Sequence, residues 1–427
     1  KVRRLPCLYS RKKGKLMKRG YLSDYFEGVA VKRLSAVEAD VIRSNQHEFN
    51  GVEGLKNILG EPSGKMRFTA KFLYLTDQDD EPIAEDGFLT WYDARQRARI
   101  ERGVMRWEYR LYFPTNLVSQ CAAEGDLLVI AKKSDDTLLA VVAEKGTTIE
   151  HQILWLFGFS DLTHPGFSVK SELENEQDRI SFAARVVLEQ IGVEIEDEAP
   201  NYLDEMLLKF NGTFPKTTEF SVYARSTLPD LSGFEDPDNA LLRWMEREEI
   251  LFRTLEKHLL GNSLRELTQN HAEDTEAFIK LVQSTLQRRK SRAGSALENH
   301  MEQIFQDHKL CYSRTPVTEG KKKPDFILPS ITDYHNLEFP ASRLTMLGAK
   351  STCKDRWRQI LNEADRIPHK HLLTLEPSIS ENQTAEMQDE NIQLVLPQGL
   401  HNTYTPKQQQ WLMDVGGFLD WVKTLQH

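Results

Sequence analysis

Four short apolar runs near the C-terminus restrict the folding choices of this chain more than any other feature. They are "PDFILP" from Pro324, "LTMLGAK" from Leu344, "HLLTL" at 371–375 and "IQLVLP" at 392–397. Each is short for a helix and apolar enough to read as a strand. Between the second and third lies "CKDRWRQILNEADRI", whose polar and apolar spacing predicts a helix. Strand, strand, helix, strand in that order reads as a mixed α/β sheet flanked by helices.

The charges sit at the ends of these runs. Asp325 opens the first and Lys350 closes the second. If the two strands are neighbours, both side chains reach one end of the sheet. Phosphodiester hydrolysis needs a metal ion to polarise the phosphate and activate water. Mg²⁺ takes oxygen ligands, so carboxylates must hold it, and a cation stabilises the developing charge. Asp325 can be the carboxylate and Lys350 the cation, with the backbone carbonyl of Ala349 aimed at the same place. Glu363, thirteen residues beyond Lys350, can return a second carboxylate from the helix. Against this stands a plain reading: Pro-Asp pairs are common turns, strand-end lysines are usually solvated, and a charged helix is often just wet. Convergence of the three residues decides between them. His335, His369 and His371 fit no zinc spacing and read as core or surface histidines. Lys354 beside Cys353 can lower its thiol pKa, but no histidine or acid partner for a cysteine nucleophile is visible.

The 427 residues allow two or three domains, and 40% hydrophobic with 28% charged residues suits ordinary cores. The net charge of -9 argues against a nonspecific nucleic-acid coat, so any basic footprint must be local. One candidate is the start, where residues 1–40 hold eleven Lys or Arg against four acids. It lacks both an initiator methionine and the apolar run of a signal peptide, so the true start is expected further upstream. No apolar run is long enough to span a membrane. Four scattered cysteines suggest neither a disulfide scaffold nor a zinc ribbon, which points to a reducing compartment, the cytoplasm.

From about 60 to 160 the texture is β-rich. "RFTAKFLYLT" and "WEYRLYFP" alternate as half-buried strands, and "DLLVIAKK" with "TLLAVVAE" flanks "SDDT" as a hairpin. The class of "HQILWLFGF" stays open. Within this region Arg95, Arg97, Arg99, Arg102, Arg106 and Arg110 lie near Trp91, Tyr92 and Trp107. Arginine forks suit phosphates and guanine edges, and the aromatics can stack, so this is a candidate DNA-contact surface. Residues 171–200 carry nine acids and two bases and read as a linker enclosing one short helix, "ISFAARVVLEQIGV". From 237 onward, apolar stripes predict long helices, whose surplus apolar surface would serve a dimer.

The segments "QRRKSRAGSALENHMEQIF", "TEGKKKPDFILPS", "YHNLEFP" and "KSTCKDRWRQILNEADRI" closely resemble the EcoRII family of restriction endonucleases. The resemblance spans about 205 to 427. It implies a Mg²⁺-dependent, homodimeric Type II endonuclease of the PD-(D/E)XK fold that cuts double-stranded DNA at a CCWGG-like site. It implies Asp325 and Glu363 as metal-binding acids, Lys350 as the catalytic lysine, and Tyr334 and Glu298 as further active-site residues. Lys354, Asp355 and Arg356 fall on the family's base-reading triplet. The acid that the PD-(D/E)XK motif places two residues before the lysine is Gly348 here, a displacement the EcoRII group shares, and it leaves metal coordination dependent on Glu363. The resemblance implies a B3-like pseudo-barrel at 1–165 for effector DNA and the nuclease at 205–427, with the acidic linker read at 166–204 between them; a different reader at 1–165, including one that senses a modified base, is the alternative. A second, activating DNA site and a cognate DNA methyltransferase are the implied partners. The competing reading is a DNA-binding module without catalysis.

Overall fold

The computed structural model describes residues 21–40, 47–78, 82–103, 105–159, 162, 164–175, 180–193, 195, 202–270, 275–351 and 354–426, without the side chains of 182, 268–270 and 354–356. Most of the basic start, Cys7, Cys353 and part of the acidic stretch lie outside the described residues. The chain divides into two compact units, one from residues 1–75, 81–145 and 156–181, the other from 76–80, 146–155 and 182–427.

The first unit is one eight-stranded sheet. Its strands are β1 (Phe26–Arg33), β2 (Glu48–Asn50), β3 (Met66–Leu75), β4 (Ile83–Asp93), β5 (Tyr109–Tyr112), β6 (Leu127–Lys133), β7 (Leu138–Ala143) and β8 (Ser168–Lys170). The order across the sheet is β2-β5-β4-β3-β7-β6-β1-β8, and only β3 with β7 runs parallel. Phe49 from one edge strand and Val169 from the other pack into the same core, so the sheet curls round it. The hairpin expected around "SDDT" is β6–β7, with Lys132 opposite Leu138 and Asp136 supplying the positive φ of 65°. Gly51 is required by close approach, since a Cβ there would lie 2.6 Å from the Trp91 ring.

"HQILWLFGF" belongs to a helix, Thr148–Phe157. Ser168–Lys170, within the stretch read from sequence as linker, pairs with β1. Acidic neighbours do not prevent pairing, because the ladder uses backbone groups.

The second unit holds a five-stranded sheet in the order β13-β12-β11-β10-β9. The strands are β9 (Ser313–Arg314), β10 (Phe326–Leu328), β11 (Thr345–Lys350), β12 (Lys370–Thr374) and β13 (Ile392–Val395). The last three run parallel, and β10 is antiparallel to both β9 and β11, giving the mixed sheet expected. Ile327, Met346, Leu347, Leu372, Leu373 and Leu394 are fully buried, as strands covered on both faces require. Two long helices, Pro237–Asn270 and Thr275–Asp307, pack together beside it. Ala296, Leu297, Met301, Ile304 and Phe305 form the stripe of the second helix that joins the core of the sheet. Near its start Phe278, Ile279, Val282 and Leu286 are exposed.

"CKDRWRQILNEADRI" departs from the helix expected. Lys354–Asn362 is a 3-10 helix. At three residues per turn, positions three apart eclipse. Trp357 and Ile360 therefore share one edge and are both buried, while Arg358 is exposed.

Candidate active site

The antiparallel register sets Phe326 of β10 opposite Leu347 of β11. Asp325, one residue before β10, therefore stands beside the end of β11. Its Oδ2 accepts a hydrogen bond from the Ala349 N–H at 2.7 Å and from the Lys350 ammonium at 2.8 Å. A residue in an extended strand directs its N–H and C=O to the same edge. Ala349, whose N–H meets Asp325, thus offers its carbonyl on that side too. Both charged side chains are mostly sheltered, Lys350 being 20% and Asp325 13% exposed. In such surroundings the pair is stronger than on an open surface.

Glu363 follows the 3-10 segment and completes the group. Its N–H donates to the Ile360 carbonyl at 3.0 Å. Its Oε2 is buried and has no hydrogen-bond partner. Burial pushes its carboxyl up to about 7; the Asp325 charge adds to the rise, while Lys350, Lys322 and Lys370 oppose it. A sheltered carboxylate oxygen without a donor is matched to a cation. Asp325, Glu363 and the Ala349 carbonyl are oxygen donors of the kind Mg²⁺ accepts. Among the described residues no group of three or more His, Cys, Asp or Glu side chains is set to hold a metal ion. The remaining positions of such an ion would fall to water and substrate, as is usual for Mg²⁺.

The packing explains why glycine stands at 348. A Cβ on Gly348 would lie 2.9 Å from Cγ2 of Ile360. The space an acidic side chain would need is occupied by the segment that carries Glu363. The second acid comes from that segment instead.

Glu298, on the helix Thr275–Asp307, also faces this group. Burial raises its carboxyl pKa first and the Asp325 charge raises it further, against Arg314 and Lys350. Tyr334 is buried, but its hydroxyl is committed elsewhere: it donates to Glu319 at 2.7 Å and accepts from the Arg366 N–H at 3.3 Å. Burial and Glu319 push that phenol up to about 12. Lys354, Asp355 and Arg356 open the 3-10 segment, and their side chains lie outside the described residues. His371 is buried on β12, held near 3 by desolvation, and hydrogen-bonded with Thr345 at 3.1 Å. That matches the core histidine expected; His335 and His369 are exposed.

In the first unit four of the six arginines meet acids. Trp91 is fully buried and donates its indole N–H to the Gly60 carbonyl at 3.0 Å, so it offers no stacking face. Arg95 pairs with Glu108 at 2.5 Å, and Arg110 pairs with Glu108 at 2.5 Å. Arg97 pairs with Glu101 at 2.8 Å, and Arg99 pairs with the buried Asp93 while its guanidinium lies 3.0 Å over the Trp107 ring. Arg102 and Arg106 are exposed. The local charge is therefore much reduced by Asp93 at the end of β4, Glu101 on the helix Gln96–Arg102 and Glu108 just before β5.

Sequence reasoning passed over Arg314. The signal was available: Glu298 and Glu302 are four apart on a helix face, an acidic pair that needs a cation.

The region containing this group is matched by a family model described as EcoRII C terminal, over residues 252–419. Across 408 residues the chain is 32% identical to the Type II restriction enzyme EcoRII of Escherichia coli, covering 93% of each. Among solved structures, metal-depleted Ecl18kI in complex with uncleaved DNA is 18% identical with a TM-score of 0.43, over 54% of this chain and 84% of that one. The PspGI–substrate DNA complex is 20% identical with a TM-score of 0.41, over 50% and 95%.

Proposed function

The chain belongs to the EcoRII family of Type II restriction enzymes, and on that premise we propose Asp325, Lys350 and Glu363 as the centre of a Mg²⁺-dependent endonuclease. It is a sequence-specific restriction endonuclease acting on double-stranded DNA. The observation that carries the site reading is the approach of Lys350 to Asp325 at 2.8 Å, with the buried, unpartnered oxygen of Glu363 on a carboxylate that feels both charges.

Asp325, Glu363 and the Ala349 carbonyl would hold the Mg²⁺. Bound there, the ion supplies polarisation of the phosphate and a lowered pKa for its water. Lys350 sets its ammonium where negative charge develops on the phosphate. Glu298 adds a further carboxylate, and Tyr334, through Glu319 and Arg366, fixes the segment that follows Glu363. Lys354, Asp355 and Arg356 read a C/G-rich, CCWGG-like site, since a carboxylate accepts from cytosine N4 and cations bond guanine O6 and N7.

In this reading residues 205–427 are the catalytic domain, 1–165 an effector or specificity domain that contacts DNA, and 166–204 an acidic linker whose first part, Ser168–Lys170, adds a strand to the sheet of that domain. Of its arginines, Arg102 and Arg106 carry the phosphate contacts, and Arg95, Arg97, Arg99 and Arg110 shape the surface through their acid partners. A near-palindromic target calls for a homodimer, each protomer cutting one strand. Among the described residues no helix is long and apolar enough to cross a membrane. The enzyme works in the cytoplasm, where a cognate methyltransferase protects the host site and a second DNA site can activate cleavage.

The test is Asp325→Ala in the full-length protein, assayed for cleavage with Mg²⁺ and for binding to cognate DNA. Cleavage should vanish while binding stays measurable. Wild-type cleavage by that variant refutes the assignment.

A further inference from the structure

Arg314 ends β9, directly opposite Phe326 of β10. The next residue, Thr315, donates its N–H to the Asp325 carbonyl at 2.8 Å. Arg314 is thus fastened to the strand that presents Asp325. Its guanidinium reaches to the helix Thr275–Asp307 and grips three side chains there. It donates to Glu302 at 2.5 Å, to Glu298 at 3.1 Å and to Asn299 Oδ1 at 2.8 Å. Asn299 in turn donates to Ser221 Oγ at 2.9 Å, tying in the helix Thr217–Ser226. Arg314, Glu298 and Glu302 are 22%, 23% and 26% exposed, so the fork works in partly dry surroundings.

We propose that Arg314 is a positioning residue for DNA cleavage: it locks Glu298 in register with Asp325, so helix and strand present their carboxylates together. The proposal rests on the reading of Asp325, Lys350 and Glu363 as the catalytic centre. Three features support it. Arg314 is the side-chain donor that the structure gives Glu298. A planar guanidinium bonded at both ends fixes direction as well as distance. And Glu298 comes from a helix far from Asp325 in sequence, so nothing in the local backbone sets their separation. A lysine at 314 would reach one acceptor well, but it lacks the fork to hold several in one geometry.

Single-turnover cleavage, DNA affinity without divalent ion, and thermal unfolding should be measured for the full-length protein and for R314Q, R314K, E298Q and R314Q/E298Q. Loss of positioning should slow cleavage by R314Q about 10- to 100-fold, with affinity near wild type. R314K should recover part of the rate. The double variant should be no slower than the slower single one, because Arg314 acts through Glu298. Wild-type rate in R314Q overturns the proposal, as do losses in R314Q and E298Q that multiply. Should R314Q fail to fold, R314K decides. A folded R314K that cuts at the full rate makes the residue structural and refutes the positioning role; a folded, slow R314K upholds it. Cleavage by Asp325→Ala, run alongside, would instead overturn the underlying site reading.

Discussion

Gly348 offers a sharp test of how the site is built. A methyl group at this position would meet Ile360 Cγ2 at 2.9 Å, with the next contacts, Ile360 Cβ and Leu372 Cδ1, at 3.8 Å. Real Cβ atoms do not tolerate the first distance, so Ile360 must move. Ile360 is fully buried and Leu372 with it, so the shift cannot be absorbed by swinging a side chain into solvent. Overpacking of this kind costs about 1–3 kcal/mol. The damage should not stop at stability. Glu363 is bonded through its N–H to the Ile360 carbonyl, so displacing Ile360 moves the second acid. Gly348→Ala should therefore lower urea stability by about 1–3 kcal/mol and slow single-turnover cleavage by about tenfold or more. Ile360→Ala alone should cost about 2–5 kcal/mol through its cavity. Combined, the two changes should cost less than their sum, because each relieves the other: the new methyl occupies part of the space that Cγ2 leaves. Gly348→Asp should cut no better than Gly348→Ala, since a carboxylate added there disturbs the acid already in use. Unfolding in urea and quenched-flow cleavage measure both effects. A neutral Gly348→Ala, or strict additivity with Ile360→Ala, would show that the contact does not constrain the site.

Three further outcomes are expected. Glu363 titrates near 7 in the fold against a usual value of 4.5, so without divalent ions its contribution to stability is complete below about pH 4.5 and is lost as pH rises through about 7. Discounted for partial exposure, Glu363→Gln should gain about 1–2 kcal/mol relative to wild type between pH 5 and pH 8, and an unchanged difference across that range would contradict the burial argument. Asp238 accepts from the N–H groups of Gln398, Val415 and Gly416, each at 2.9 Å, and so caps the start of the helix Val415–Gln426. Asp238→Ala should cost about 2–4 kcal/mol in a urea titration, and a loss under half a kcal/mol would mean that water replaces the carboxylate freely. In base reading, Arg356→Ala should weaken cognate binding by about 1–3 kcal/mol and mismatched binding far less, whereas Arg102→Ala should weaken both alike and flatten the salt dependence by about one unit of slope. Competition binding at several salt concentrations separates the two.

What the sequence determined by itself lies in short-range pattern. The runs at 324–329, 344–350, 371–375 and 392–397 are strands because brief apolar stretches bounded by prolines and charges have few other stable conformations. The stripe Leu297, Met301, Ile304 and Phe305 is a buried helix face because its spacing is that of a helix. Asp325 and Lys350 were visible as a candidate pair because each marks the end of its strand, and antiparallel register then makes the ends meet.

What only tertiary structure decided are the contacts between elements distant in the chain. The burial of Glu363, and with it the missing partner of its Oε2, depends on how the 3-10 segment lies against β11. The occupant of the space at Gly348 is a side chain twelve residues away, which no local rule specifies. In the first unit the acids stand in the same segment as the arginines, and folding decides which meet: Asp93 takes Arg99, and Glu108 takes Arg95 and Arg110. Trp91 looked available for stacking, yet strand alternation turned it inward. Arg314 is unremarkable in sequence and acquires its place by bridging β9 to a helix that begins nearly forty residues earlier. Local periodicity fixes which face a side chain takes; which charge it meets there depends on packing, where desolvation and distance set the energy.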